Sequence, residues 1–420
     1  MLELFRVKNF MSFKDSSILD FRALSYKQHK SHIIFPDNPT PDANYGILKT
    51  IAIYGANASG KSNLIKAMYS FRSYILDQIF DRRNNDSIPK MDIEPFALSD
   101  QDDTSEFEIV FRHNGHRFQY GIELKDNEII NEWYDIDGIT VFDRNKEKIT
   151  LGSKYQKLLK MFDKVPSNRP YISLLDFFGD KEVRQGITND FVDFFDSCFH
   201  VFYEINLESS VKQRFVLPIE GRILDDVGFR NAVEKYIKRI DVGIERLDVV
   251  PERVTDKHTN EQKEKMKLTA VHNIFDESGH VIGEKQFDLS KESSGTLRFI
   301  QYIQSILEIQ EKGGIFIIDE LSARLHPMLT KLIVDLFQAT ENNEAQLVFS
   351  THDLSLLNKN QFRRDEVVFV DKNDRGESKI YSLADLKVRE DSSFSKEYIQ
   401  GKYGAIPIFR NYTRGDENYA

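Results

Sequence analysis

The chain has 420 residues, long enough for more than one core or for a single elaborated α/β domain with an insertion, and its 40% hydrophobic and 30% charged residues with a mean hydropathy of -0.46 are ordinary for a soluble globular protein and argue against membrane burial. A net charge of -10 excludes a surface that coats DNA generally, while leaving room for a local basic patch. Cys198 is the single cysteine, so no intrachain disulfide forms, and the N-terminal MLELFRVKNF lacks the zones of a secretory signal; the expected location is the cytoplasm, with no membrane partner.

In chain order, alternation predicts short strands at about 1–8 and 17–22, followed by a connection through FPDNPTPDANYG. LKTIAIYG then reads as a strand that ends in a glycine-containing loop, and KSNLIKAMYSFRSYILDQIF reads as the helix after it. From about 93 to 150, EFEIVFRHNG, HRFQYGIEL and EIINEWYDIDG alternate as the strands of an antiparallel sheet turned by Gly and Asn. Residues 151–270, with NDFVDFFDSCFHVFYEI and FRNAVEKYIKRIDVGIERLDVV, read as a mainly helical, aromatic-rich insertion. Phe194, Phe195, Phe199 and Phe202 are expected in its core, and the charged run DKHTNEQKEKMK as a solvated loop or hairpin tip. The last third returns to strand and helix in alternation: a helix at about 295–312, GIFIIDE, a helix from about Pro327, AQLVFSTHD, and the strand pair DEVVFVD and SKIYSL. That alternation predicts a mostly parallel, covered sheet.

Four stretches carry chemistry, three of them at the ends of apolar strands. GANASGKS, Gly55 to Ser62, fits the phosphate-loop pattern in the context it needs, after a strand and before a helix. Its backbone N–H groups can cradle a phosphate at the helix N-terminus, Lys61 can reach the β- and γ-phosphates, and the Ser62 hydroxyl can ligate Mg2+. GIFIIDE places Asp319 and Glu320 at the carboxyl end of a buried strand, where open parallel sheets bind ligands. Asp319 is expected to hold Mg2+ and Glu320 to polarise the attacking water, although two adjacent acids also suit a plain strand exit. QLVFSTHD repeats the pattern with His352, which beside those acids can bind the γ-phosphate or the lytic water and alone is an ordinary loop histidine.

KESSGTLRFI opens the helix at 295–312, whose Leu297, Ile300, Ile303 and Leu307 recur at helical spacing. Its N-terminal turn offers small hydroxyls, N–H groups and the positive end of a helix dipole to an anion. Simple N-capping also accounts for Ser293 or Ser294 taken alone.

The order phosphate loop, insertion, ESSGT, FIIDE, STHD resembles the ABC-type ATPase heads of the structural-maintenance-of-chromosomes and DNA-repair class. With LFRVKNFMSFKD, DELSARLHP, DLSLLNKNQFRRDEVVFVDK and YIQGKYGAIP, the chain resembles the RloA/AbiLi ATPases of abortive phage infection, AAA family ATPases related to the overcoming-lysogenisation-defect class. The resemblance implies an α/β ATPase head with a mostly parallel core sheet, an antiparallel β subdomain and a helical insertion: residues 1–150 and 271–420 form the two parts of the head around 151–270. It implies ATP and Mg2+ as ligands, with Gly55, Asn57, Ser59, Gly60, Lys61, Ser62 and Asn63 binding nucleotide in cis and Ser62 and Asp319 holding the metal. Lys61, Glu320 and His352 are then the catalytic set, and Ser293, Ser294 and Gly295 bind the γ-phosphate held by a second subunit.

The implied activity is ATP hydrolysis by a homodimer or higher homo-oligomer that senses a phage trigger or nucleic acid. Such a homo-oligomer controls a separately encoded effector, such as a Toprim-like nuclease of the RloB/AbiLii type, since the chain ends soon after GAIPIFRNY. A DNA-binding repair or recombination ATPase, and an assembly protein that binds ATP with little turnover, are the alternatives. Where the family carries an acidic or Asn residue before its LHP, this chain has Ser322 and Arg324, and Gln101 and Gln119 are the candidates for the Q-loop glutamine.

Overall fold

The structure is a computed structural model that describes residues 1–36, 45–80, 93–100, 103–157, 165–203, 221–240, 243–255, 262–339, 341, 344–389 and 392–407. The chain divides into two compact units, one of residues 1–203, 313–321 and 334–420 and the other of residues 204–312 and 322–333.

The first unit holds two larger sheets. In the six-stranded sheet the order is Phe199–Phe202, Gly314–Ile318, Ala345–Ser350, Thr50–Tyr54, Val367–Lys372 and Ser378–Ser382. The first five run parallel and the last is antiparallel. Gly314–Ile318, Ala345–Ser350 and Thr50–Tyr54 are buried along their whole length, as continuous apolar runs covered on both faces must be. The seven-stranded sheet is antiparallel and includes Leu2–Lys8, Ser17–Asp20 and the meander Ser105–His113, His116–Lys125, Glu128–Ile136, Ile139–Asn145, Lys148–Leu151. The fold is α/β with a mostly parallel core sheet and an antiparallel β lobe, as the alternation predicted.

The helix Lys61–Phe80 buries Leu64, Ile65, Met68, Phe71 and Ile75. Phe71 lies parallel to Phe107, with centroids 5.8 Å apart, and edge-on to Phe195 at 5.9 Å. Phe111 stacks on Phe194 at 4.0 Å. Phe194, Phe195, Phe199 and Phe202 are all buried, so they are core residues, each contributing on the order of 1.5–3 kcal/mol of transfer free energy.

The stretch 151–270 is shared between the two units. Its first part reaches the six-stranded sheet through Phe199–Phe202, read from sequence as helix but paired in parallel with Gly314–Ile318. Phe-His-Val-Phe is apolar, aromatic and β-branched, and a four-residue run of that kind follows whatever neighbour it can pair with. In the second unit, the helix Val227–Ile240 buries Phe229, Val233 and Ile237 at four-residue spacing. It is followed by a three-stranded antiparallel sheet of Ile244–Thr255, Gln262–Phe275 and Val281–Asp288, where sequence had suggested more helix. Of the charged run, residues 256–261 lie outside the described residues, and Gln262–Lys267 belong to a strand. Among the described residues no helix is long and apolar enough to cross a membrane.

Candidate functional site

The phosphate loop joins Thr50–Tyr54 to the helix Lys61–Phe80, so the loop leads directly into the N-terminus of a 20-residue helix, the end whose N–H groups and dipole favour an anion. Both loop glycines are required by close approach. A Cβ on Gly55 would lie 2.3 Å from the Val370 carbonyl oxygen and 2.6 Å from Ser59 Oγ, and one on Gly60, at φ +114°, would lie 2.5 Å from Ser378 Oγ and 2.8 Å from Ser12 Oγ. Ser378 Oγ donates to the Ser59 carbonyl at 2.6 Å and pairs with Ser12 Oγ at 2.8 Å, where it accepts the Ser12 hydroxyl proton, while Asn63 Nδ2 donates to Ser12 Oγ at 2.7 Å. Ser12 and Ser378 therefore hold the loop from outside it. Both lie far from the motif in sequence, and only the positive φ and tight neighbours of Gly60 reveal them. Ser59 Oγ is buried without a hydrogen-bond partner, a polar atom inside a backbone cradle that suits a phosphate ligand. Asn57 is exposed, and Ser62 and Asn63 are half-buried at the start of the helix.

The carboxyl ends of three neighbouring strands bring the remaining groups of this unit together. Lys61 Nζ donates to the carbonyls of Gly55 at 3.0 Å and Ala56 at 3.1 Å, and to His352 Nε2 at 3.1 Å. His352 Nε2 also lies 3.5 Å from Glu320 Oε1. Ser350 Oγ donates to Asp319 Oδ1 at 2.6 Å and accepts the Glu320 N–H at 2.8 Å, so one buried hydroxyl sets both acids. Glu320 itself sits at φ 53°, a left-handed conformation that costs a non-glycine residue about 1–3 kcal/mol. Tyr54, the residue before the loop, donates from its buried hydroxyl to the Asp353 carbonyl at 3.2 Å, tying the loop strand to the segment that carries His352. Ser350 stood in the sequence only as a strand-exit residue of QLVFSTHD, and Tyr54 went unnoticed because a tyrosine in an apolar strand looks like any other.

Electrostatics distinguish the two bases. Burial lowers the Lys61 pKa, against the opposing pull of Glu320 and Asp319. His352 is lowered from 6.5 by burial first and by the Lys61 ammonium second, again against Glu320 and Asp319, so its imidazole is neutral at pH 7 and Nε2 can accept from Lys61. Since the folded pKa lies below the unfolded one, the folding contribution of His352 is intact above 6.5 and is lost as pH falls through the lowered value. Protonation also removes the acceptor and sets two cations side by side. A histidine NMR titration of the nucleotide-free chain is therefore expected to place the His352 midpoint below 6.5, and Lys61→Met, which removes the neighbouring ammonium, is expected to raise it.

In the second unit, Ser294 begins the helix Ser294–Lys312. Ser293 is its cap: Ser293 Oγ accepts the Thr296 N–H at 3.1 Å and pairs with Thr296 Oγ1 at 2.8 Å. Ser293 and Ser294 are exposed, and a Cβ on Gly295 would lie 2.9 Å from the Arg324 carbonyl, so glycine lets the LSARLHP loop approach the helix start. Of the helix residues expected inward, Ile300 and Ile303 are buried and Leu297 and Leu307 half-buried, and Phe299, Tyr302, Ile306 and Ile309 widen the buried stripe. Of the Q-loop candidates, Gln101 lies outside the described residues, and Gln119 is in the antiparallel meander, where it donates to Glu108 Oε1 at 2.8 Å.

Residues 51–358 match the family described as "AAA domain, putative AbiEii toxin, Type IV TA system". The chain belongs to this AAA family. It is accordingly an AAA-type P-loop ATPase, and the matched span runs from the phosphate-loop strand past the His352 turn. No curated protein matches the sequence significantly. Similar solved structures include an SMC head bound to the C-terminal winged-helix domain of ScpA, at 15% identity and a TM-score of 0.42 over 91% of this chain and 97% of that one. Another is the SMC head domain from Thermotoga maritima, at 14% identity and a TM-score of 0.38 over 92% of this chain and 99% of that one.

Proposed function

We propose that this AAA family chain hydrolyses ATP as a nucleotide-gated homodimer of the RloA/AbiLi type and acts in antiphage abortive infection by controlling a separately encoded effector such as a nuclease. The observation that carries the ATPase reading is the meeting of Lys61, Asp319, Glu320 and His352 within hydrogen-bonding range of one another or of a shared serine, beside the phosphate loop. The buried Ser59 hydroxyl and the glycine cradle fit a phosphate, and Ser62 with Asp319 offers the oxygen ligands that Mg2+ prefers.

In this reading Gly55, Asn57, Ser59, Gly60 and Asn63 shape and flank the phosphate cradle. Lys61 exchanges its carbonyl and imidazole partners for phosphate oxygens. Glu320 accepts a proton from the attacking water, and His352 keeps a neutral face toward the same region. Ser62 and Asp319 would hold Mg2+, which when bound would supply charge neutralisation at the phosphates. Phosphoryl transfer needs mainly positioning and charge stabilisation, which rigid strand ends provide.

The exposed turn at Ser294 and Gly295 supports closure by a second subunit, since a helix N-terminus already capped by Ser293 has further N–H groups to offer an anion. The family's description as a toxin of a type IV toxin–antitoxin system supports the defence reading. Light scattering of the full chain should show the dimer mass with ATP and Mg2+ and the monomer mass with ADP, with phosphate release on the same samples. A monomer that turns over ATP normally would overturn the dimer. Unchanged phage plating on cells expressing the chain with its neighbouring genes would overturn the defence role.

A further inference from the structure

A second cluster of ligand-type side chains lies in the first unit, among residues given no part in ATP chemistry. His113 ends the strand Ser105–His113, Asp193 ends the helix Asn189–Asp193, and Cys198 ends the π-helical turn Phe194–Cys198. One donor atom from each lies within 4.8 Å of the other two. His113 Nε2 and Asp193 Oδ2 are already 2.7 Å apart. The π turn is what makes this possible: its hydrogen bonds span five residues, so Asp193 and Cys198, five apart, come to one side of the backbone, where an α-helix would separate them.

We propose that His113, Asp193 and Cys198 form a Zn2+ site. Nitrogen, carboxylate oxygen and thiolate sulfur are the donor set Zn2+ accepts, and a thiolate disfavours Mg2+ or Ca2+. Zinc bonds of about 2.0–2.3 Å place tetrahedral ligand atoms on the order of 3.5 Å apart, so the cluster needs only a modest opening of the His–Asp contact as the metal replaces the shared proton. The Asp193 side chain is 51% exposed and His113 11%, giving the ion an entry and a water as fourth ligand. Cys198 is 2% exposed, which suits a ligand and leaves no approach for the substrate of a cysteine nucleophile.

The site bears on the core sheet. Cys198 immediately precedes Phe199–Phe202, and a Cβ on Gly314 would lie 2.3 Å from the Cys198 carbonyl, so the cysteine backbone is held against the start of the strand that leads to Asp319. Asp319 N in turn donates to the Phe202 carbonyl at 3.0 Å. A metal here fastens the edge strand on which the Asp319 turn rests.

The test uses the full-length chain, stripped with EDTA and free of nucleotide, titrated with Co2+ as a spectroscopic probe and with Zn2+ against a chromophoric chelator. One equivalent of Co2+ is expected to give tetrahedral visible absorption and a thiolate charge-transfer band, which no oxygen-only Mg2+ site produces. Cys198→Ser should abolish that band. Asp193→Asn, at a half-exposed side chain, and His113→Ala should each weaken Zn2+ binding by about tenfold or more, with far-UV circular dichroism unchanged. A folded wild type without the charge-transfer band, or Zn2+ affinity unchanged in Asp193→Asn and His113→Ala, would overturn the site.

Discussion

Glu320→Gln is expected to lower ATP turnover by about 10²–10⁴-fold, the range a positioned general base contributes, while nucleotide affinity stays near wild type. The substitution removes a carboxylate and keeps its shape. What fixes the Glu320 backbone is its N–H to Ser350 Oγ, which glutamine retains, and what fixes Asp319 is the same hydroxyl. Before nucleotide binds, Lys61 keeps its contacts with the Gly55 and Ala56 carbonyls and with His352, so it is held beside the phosphate loop as in the wild type. Binding and chemistry should therefore separate: a fluorescent-nucleotide titration should be nearly unchanged, and phosphate release should be nearly lost. In the proposed cycle hydrolysis lets the two heads part, so under ATP the variant should accumulate as the closed dimer in light scattering. Turnover within a factor of a few of wild type would remove Glu320 from the role of base. Lost turnover without accumulation of a dimer would keep the base and reject gating by hydrolysis.

The parts of this molecule that sequence made legible are those in which local pattern and chemistry coincide. A phosphate loop shows itself because its glycines, lysine and serine are all needed within eight residues, and the acids at 319–320 because a wholly apolar strand must end somewhere. The parts that stayed hidden depend on long-range contacts. Ser12 and Ser378 meet the loop from positions 366 residues apart, and each looks like an unremarkable polar residue in its own segment. Ser350 was visible as a strand-exit residue, but its hold on both acids requires the parallel register that places Ile318 beside Phe349. The strand Phe199–Phe202 was hidden for a related reason: four aromatic and branched residues after a helix carry no period, and only Gly314–Ile318 alongside makes them a strand. The hairpin from Ile244 was read as helix because its alternation is broken by charged residues that a solvent-facing sheet readily carries.

Ser294→Arg addresses the remaining half of the proposed site, and its expected effect is loss of both ATP-dependent dimerisation and turnover with nucleotide binding to each monomer intact. The fold should tolerate it. Ser294 is exposed, and the cap of the helix is Ser293, whose bonds to Thr296 do not involve the Ser294 side chain. A cation in the first turn opposes the helix dipole by only about 0.3–1 kcal/mol at an exposed position. What the long side chain does remove is close approach of the Ser294 and Gly295 backbone to a phosphate. The decisive measurement is complementation. Lys61→Ala abolishes phosphate binding in cis, so each variant alone should be inactive. Mixed, the two can form a heterodimer in which Lys61 of one subunit faces Ser294 of the other with both intact. Recovery of part of the turnover on mixing is the signature of a site built across two subunits. If the mixture stays as inactive as its components, or if Ser294→Arg alone hydrolyses ATP normally, the Ser-Ser-Gly turn is a helix cap and the catalytic site is complete within one chain.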